Sequence, residues 1–202
     1  MKTKSDIKSP GGNLLMIDGE AYFHPDLFSA EECHELFTGL QSNVEWKQEP
    51  IKIMGREIMQ PRLTAWYGDA GKSYRYSGIT MEPAPWISEL LVIKNKIQNI
   101  SEQTFNSVLL NFYRDGQDSM GWHSDNEKSL GANPVIGSVS FGTSRTFQFK
   151  HRECPELRES ISLTDGSFLL MKGSTQHNWY HRIPKEGRVS GGRINLTFRT
   201  II

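Results

Sequence analysis

Apolar positions along the chain recur with two different periods. Cys33, Leu36, Phe37 and Leu40 fall at helical spacing. Just ahead of them Ser29 and Glu32 form S-x-x-E, a capping box in which each side chain satisfies an orphan backbone donor. The pattern predicts a helix opening at Ser29. A second helix is predicted to open near Pro85, since proline is tolerated in a first turn. Its apolar stripe is Trp86, Leu90, Ile93 and Ile97. From Phe105 onward the signals are almost all of the strand type. Short strands are predicted at 108–113, 135–141, 146–149, 161–163, 168–171 and 194–198, separated by Gly, Asn, Asp and Pro clusters. Residues 47–82 are rich in Gly, Met, Tyr and basic side chains, with β-like pieces at 51–53 and 63–67. Helices followed by many short strands predict an α+β fold, a sandwich or jelly roll with the helices packed on it.

Composition narrows the function classes. The chain has 202 residues, 23 Lys+Arg against 23 Asp+Glu, and a formal net charge of zero. That excludes a protein holding nucleic acid by bulk charge alone. Hydrophobic content of 37% fits a folded domain. Two cysteines, Cys33 and Cys154, are too few for a disulfide framework or a Cys-based zinc site. No apolar run reaches the ~18 residues that span a bilayer, and residues 1–10 lack the apolar core of a signal peptide. The expectation is an intracellular monomer, cytoplasmic in a bacterium and nuclear in a eukaryote. Its first 12 residues would be a flexible tail and residues 13–202 one domain. The zero total hides an asymmetry. Residues 9–46 contain no Lys or Arg, whereas 172–199 carry six against the single acid Glu186.

Trp122-His123-Ser124-Asp125 carries the sharpest chemistry. On a strand, residues i and i+2 share a side, so His123 and Asp125 can reach one point while Ser124 faces away. A His and a carboxylate so placed are two thirds of a 2-His-1-carboxylate triad, which leaves open positions on Fe(II). A third ligand has three candidates downstream. His151 lies among Lys150, Arg152 and Glu153 and reads as a hydrated turn. His177 and His181 flank Asn178-Trp179-Tyr180, and either suits the role. The final strand alternates strictly, with Ile194, Leu196 and Phe198 on one face and Arg193, Asn195, Thr197 and Arg199 on the other. Two arginines on one face suit a dicarboxylate, because guanidinium forks bind carboxylates bidentately. They lie six residues apart, about 20 Å at strand rise, so one small ligand needs both side chains to lean inward.

Asn111-Phe112-Tyr113, His123-Ser124-Asp125, His181 and R-x-N-x-T-F-R at 193–199 together resemble the AlkB family of Fe(II)- and 2-oxoglutarate-dependent dioxygenases. The resemblance runs from about Trp46 to the C-terminus. The stretch from Pro61-Arg62 to Gly78 is most similar to the branch that repairs duplex DNA. The resemblance implies a double-stranded β-helix, or jelly roll, with its catalytic core at 105–202 and a nucleotide-recognition lid at 47–82. Iron would be held by His123, Asp125 and His181, the last preferred for its place in Trp179-Tyr180-His181. Arg193 would pair with the distal carboxylate of 2-oxoglutarate and Arg199 with the carboxylate beside the keto group. Asn111, Tyr113 and Asn195 would add hydrogen bonds. The implied reaction is oxidative demethylation of 1-methyladenine and 3-methylcytosine in DNA. It consumes O2 and 2-oxoglutarate and releases succinate, CO2 and formaldehyde.

The same resemblance assigns substrate contacts. Tyr74 and Tyr76 would be base-pocket and lid aromatics, Ser77 a phosphate contact and Arg62 a nucleic-acid contact. Glu127 would read exocyclic amino groups, since a carboxylate accepts hydrogen bonds. Met54 would tip a hydrophobic finger where the branch carries an aromatic, which leaves single-stranded DNA and RNA open as substrates. The alternatives are an Fe(II) dioxygenase acting on RNA, protein or a small molecule, and a non-catalytic jelly-roll binding module. Lys172, Arg182, Lys185 and Arg188, with Lys52, Arg56, Arg62, Lys72 and Arg75, are expected to line one face toward nucleic acid.

Overall fold

The computed structural model describes residues 12–53, 56–72, 74–76 and 79–202, with side chains for these outside 51–56 and 73–81. The expected tail falls outside the described residues except for Gly12.

The capping box forms as anticipated. Ser29 Oγ accepts from the Glu32 N–H, and Glu32 Oε2 accepts from the Ser29 N–H. After strand β1 (Glu20–His24), helix α1 (Ala30–Asn43) follows and buries Cys33, Leu36 and Leu40. Strands β2 (Pro50–Ile53) and β3 (Arg56–Met59) form a hairpin, β4 (Leu63–Gly68) joins the main sheet, and β5 (Tyr74–Tyr76) pairs with β6 (Ile79–Met81). Helix α2 (Ser88–Ser101) opens three residues later than Pro85 suggested. Ala84 is held extended by hydrogen bonds to Trp66 and Gly68, so the chain turns helical only after Ile87.

The remaining strands are β7 (Ser107–Tyr113), β8 (Met120–His123), β9 (Ile136–Gly142), β10 (Arg145–His151), β11 (Arg158–Leu163), β12 (Ser167–Lys172), β13 (Trp179–Ile183) and β14 (Arg193–Arg199). A four-residue helix, α3 (Thr175–Asn178), precedes β13. Two antiparallel sheets result. The larger has the order β1-β12-β9-β14-β7-β4 and the smaller β11-β10-β13-β8.

Two cores follow from strand alternation. Ile194, Leu196 and Phe198 of β14, with Val108 and Leu110 of β7, pack beneath α1 and α2 in one apolar cluster. The other cluster fills the space between the sheets and includes Trp66, Ile136, Phe147, Phe149, Trp179 and Ile183. The polar face of β14 therefore points between the sheets. Strand β14 is buried along its whole length, because α1 and α2 cover one face and the smaller sheet the other.

One loop junction closes the far end. Gly116 donates to Val189 O at 3.0 Å and accepts from Glu186 N at 2.8 Å, and a Cβ at Gly116 would fall 1.9 Å from Glu186 O. Buried Arg145 locks the same junction. It donates from Nε to Glu186 at 2.8 Å and from its Nη atoms to the carbonyls of Asp115, Asp118 and Pro184.

Candidate active site

Strand register brings the two histidines together. His181 of β13 is the direct partner of His123 at the end of β8, and their rings lie 4.2 Å apart, centroid to centroid. His123 Nδ1 lies 2.9 Å from Gly121 O, which leaves Nε2 facing Asp125, 4.0 Å from its Oδ1. Asp125 sits beyond the last β8 residue rather than on the strand, so its N–H has no ladder partner. Buried Gln176 supplies one, accepting through Oε1 at 2.9 Å. Single ligand atoms of His123, Asp125 and His181 all lie within 4.8 Å of one another.

The electrostatics suit a cation bound by neutral imidazole and carboxylate. Burial, helped by His123, pushes the His181 imidazole down to about 3, so the lone pair of its unprotonated nitrogen stays available. Its ring is held by stacking on Phe147 at 5.3 Å rather than by an outer acceptor on Nδ1. Burial alone would raise Asp125. The positive charge of Arg199 beside it outweighs burial and holds the carboxyl below its usual range. Arg199 Nη2 donates to Asp125 Oδ1 at 2.9 Å.

These residues line one cavity of about 120 Å³ between the sheets. Asn111, Tyr113, Arg193, Asn195, Arg199 and Glu127 line it as well. Arg193, 1% exposed, donates from Nη2 to Ser140 Oγ at 2.8 Å, while its Nε and Nη1 are buried without a hydrogen-bond partner. Burial pushes its pKa down to about 10. A buried guanidinium with two unused donors fits an incoming carboxylate. Arg193 and Arg199 reach the same cavity because Arg199 leans to Asp125 and Arg193 toward Ser140. Asn195 spends its amide donors on Ser138 Oγ and Val139 O, so it builds the wall.

Other expectations fall elsewhere. Arg62 is 3% exposed and donates to Asn111 Oδ1 at 2.7 Å, so it supports the cavity wall instead of meeting nucleic acid. His151 is buried at the end of β10, not in a hydrated turn. Its Nδ1 accepts from the N–H groups of Glu153 and Cys154, and its ring meets Trp179 edge-on. His177 is exposed and pairs with Ala132 O. Met54 and Ser77 lie outside the described residues. Tyr74 and Tyr76 lie on β5, with only their backbone described. Of the expected basic face, Lys172 pairs with Glu20 at 3.2 Å and Arg62 is buried. Leu109, Met120, Ser138, Phe147, Met171 and Ile183 also line the cavity. Of these Ser138 was readable as a polar position alternating with Val139; Gln176 gave no signal.

With this geometry in place, comparison with known proteins is decisive. Residues 20–199 match the family described as the 2OG-Fe(II) oxygenase superfamily. The chain belongs to that superfamily. It is 37% identical to the DNA oxidative demethylase ALKBH2 of Mus musculus over 98% of this chain and 87% of that one. Against ALKBH2 of Homo sapiens the identity is 39% over 96% and 78%. It is also 46% identical to alpha-ketoglutarate-dependent dioxygenase alkB homolog 3 of Mus musculus over 88% of this chain, spanning 65% of that protein's length. The structure of OsALKBH1 superposes with a TM-score of 0.63 at 17% identity, covering 89% of this chain and 97% of that one, which shows the same fold. Both groups the superfamily uses suit the residues present. Two imidazoles, that of His181 kept neutral by burial, and an ionised carboxylate suit Fe(II), and the unused donors of Arg193 suit 2-oxoglutarate. Among the described residues no helix is long and apolar enough to cross a membrane.

Proposed function

We propose that this chain is an oxidative demethylase of N-alkylated bases, 1-methyladenine and 3-methylcytosine, in DNA. It would form one domain over 13–202, with 47–82 as the lid. Bound Fe(II) and 2-oxoglutarate supply the oxidising chemistry with O2, and the products are succinate, CO2, formaldehyde and the repaired base. His123, Asp125 and His181 hold the metal. Arg193 and Tyr113 hold the far carboxylate of the co-substrate, and Arg199 orders Asp125 and the near one. Asn111, itself held by Arg62, completes the wall. A base must leave its stack to reach this cavity. Half-buried Glu127 lines the cavity and suits the amino group of adenine or cytosine and the positive charge of the methylated ring. The lid residues Met54, Tyr74, Tyr76 and Ser77 are proposed to hold the flipped nucleotide. The observation that carries this reading is the 37–39% identity to DNA oxidative demethylases across nearly the whole chain.

Strand contacts are proposed for the outer face of the smaller sheet. The Arg182 guanidinium lies 4.4 Å over the Trp122 ring and Lys150 Nζ 4.9 Å over it, while Arg152 lies 4.0 Å over Tyr180. Stacked cations of this kind are preorganised for phosphates. The deciding experiment incubates iron-loaded protein and 2-oxoglutarate with 1-methyladenine and 3-methylcytosine in single-stranded DNA, duplex DNA and RNA, measuring succinate and formaldehyde. Turnover on DNA that is lost in His123→Ala supports the proposal. Untouched lesions in both DNA forms overturn it.

A further inference from the structure

We infer that Gln176 is a positioning residue that locks the carboxylate ligand to the segment bearing the second histidine. The inference rests on the reading of His123, Asp125 and His181 as metal ligands. Asp125 lies two residues past His123, where the β8 ladder has ended. Its buried N–H is satisfied by one side chain, Gln176 Oε1, at 2.9 Å. An N–H can only donate, so the amide orientation of Gln176 is dictated, and its Nε2 is left facing Met171 Sδ at 3.6 Å. A thioether is a weak acceptor, so the bond to Asp125 governs the side chain.

The anchor itself is firm. Gln176 is 0% exposed, and its neighbour Thr175 donates to Lys172 O at 2.6 Å and accepts from the Glu20 N–H at 2.8 Å. Gln176 stands five residues before His181 in the short α3–β13 segment. One hydrogen bond thus ties a ligand that lies outside the sheet to a ligand within it. Among the described contacts, Asp125 then keeps its side-chain bond to Arg199 and its approach to His123, which fix the carboxylate but not the backbone that carries it.

The test compares Gln176→Met and Gln176→Glu with the unmodified protein, using Co(II) as probe. Methionine keeps the length and removes the acceptor; glutamate keeps an acceptor at the same reach. The readouts are Co(II) affinity by calorimetry, the visible d–d bands of the bound ion, and far-UV circular dichroism of the metal-free protein. Expected is a 10–100-fold weaker affinity with altered bands in Gln176→Met, recovered to within a few-fold in Gln176→Glu, with both metal-free variants folded. Wild-type affinity and bands in Gln176→Met overturn the inference, as does equal loss in both variants. If the unmodified protein and His181→Ala bind Co(II) alike, the metal site itself is wrong.

Discussion

Replacing Arg193 by methionine separates a binding residue from a structural one. The guanidinium is 1% exposed, and burial, only partly offset by the Tyr113 ring 5.2 Å away, pushes its pKa down to about 10, a net cost to the charged form of about 3 kcal/mol. Against that stands the hydrogen bond to Ser140, contributing about 1 kcal/mol. The charge is not what stabilises the fold, so Arg193→Met should cost the ligand-free protein no more than about 1 kcal/mol. For a chain of this size that is a melting shift of no more than about 4 °C. Binding should respond differently. Nε and Nη1 lack partners, and two charge-assisted bonds to a carboxylate contribute about 3–6 kcal/mol. The affinity for 2-oxoglutarate should therefore fall by about 10²–10⁴. Calorimetry with 2-oxoglutarate in the presence of Mn(II), beside melting curves without ligand, measures both quantities. An unchanged Kd, or a ligand-free melting temperature more than 10 °C lower, would refute the reasoning.

Three further outcomes are expected. Burial, reinforced by Asp165, pushes the Cys33 thiol up to about 12, so a thiol reagent at pH 8 should label Cys154 alone in the native protein and both cysteines after denaturation. Gly116→Ala should force apart the loops joined at Glu186, costing about 1–3 kcal/mol and lowering the melting temperature by about 2–12 °C; an unchanged melting curve would mean the junction yields freely. Burial would raise Asp118, but its bonds to Arg114 outweigh this and hold its carboxyl below 3.8. Its stabilisation is therefore complete above that value and lost as pH falls through the lowered one. The melting difference between the parent and Asp118→Asn should be largest above about pH 5 and shrink as the pH falls through the acid range, and a difference that does not change with pH would exclude the ion pair as its source.

The features legible in the sequence were those with local periodicity. The α1 capping box, the alternation of β14 and most strands after Phe105 needed no knowledge of distant partners. Strand β1 was missed because Glu20–His24 becomes a strand only by pairing with β12, about 150 residues away. Strand β13 was missed because Trp179–Ile183 mixes polar and apolar residues, and only its pairing with β8 and β10 defines it. His151 was misjudged because its charged neighbours in sequence are not its neighbours in space. Arg62 was assigned by resemblance, and its side chain turns inward instead. Arg62 is buried against Asn111, 49 residues away, and His151 against Trp179. Gln176 was invisible because nothing local distinguishes a buried glutamine that accepts from a distant N–H.

The zero net charge also changes meaning once burial is known. Among residues with described side chains, four arginines are buried, Arg62, Arg145, Arg193 and Arg199, against two acids, Asp118 and Asp125. Removing these from a balanced total leaves the rest of the chain with two more acids than bases. Long-range attraction to a polyanion therefore has no bulk charge to draw on, and any phosphate binding must be local. The outer face of β8, β13 and β10 has the right form for that, because Lys150, Arg152 and Arg182 are held against aromatic rings rather than paired with carboxylates in the described contacts. The inner face of the same strands carries His123 and His181. A single pleat thus sets His123 and His181 on one side of the smaller sheet and Lys150 and Arg182 on the other.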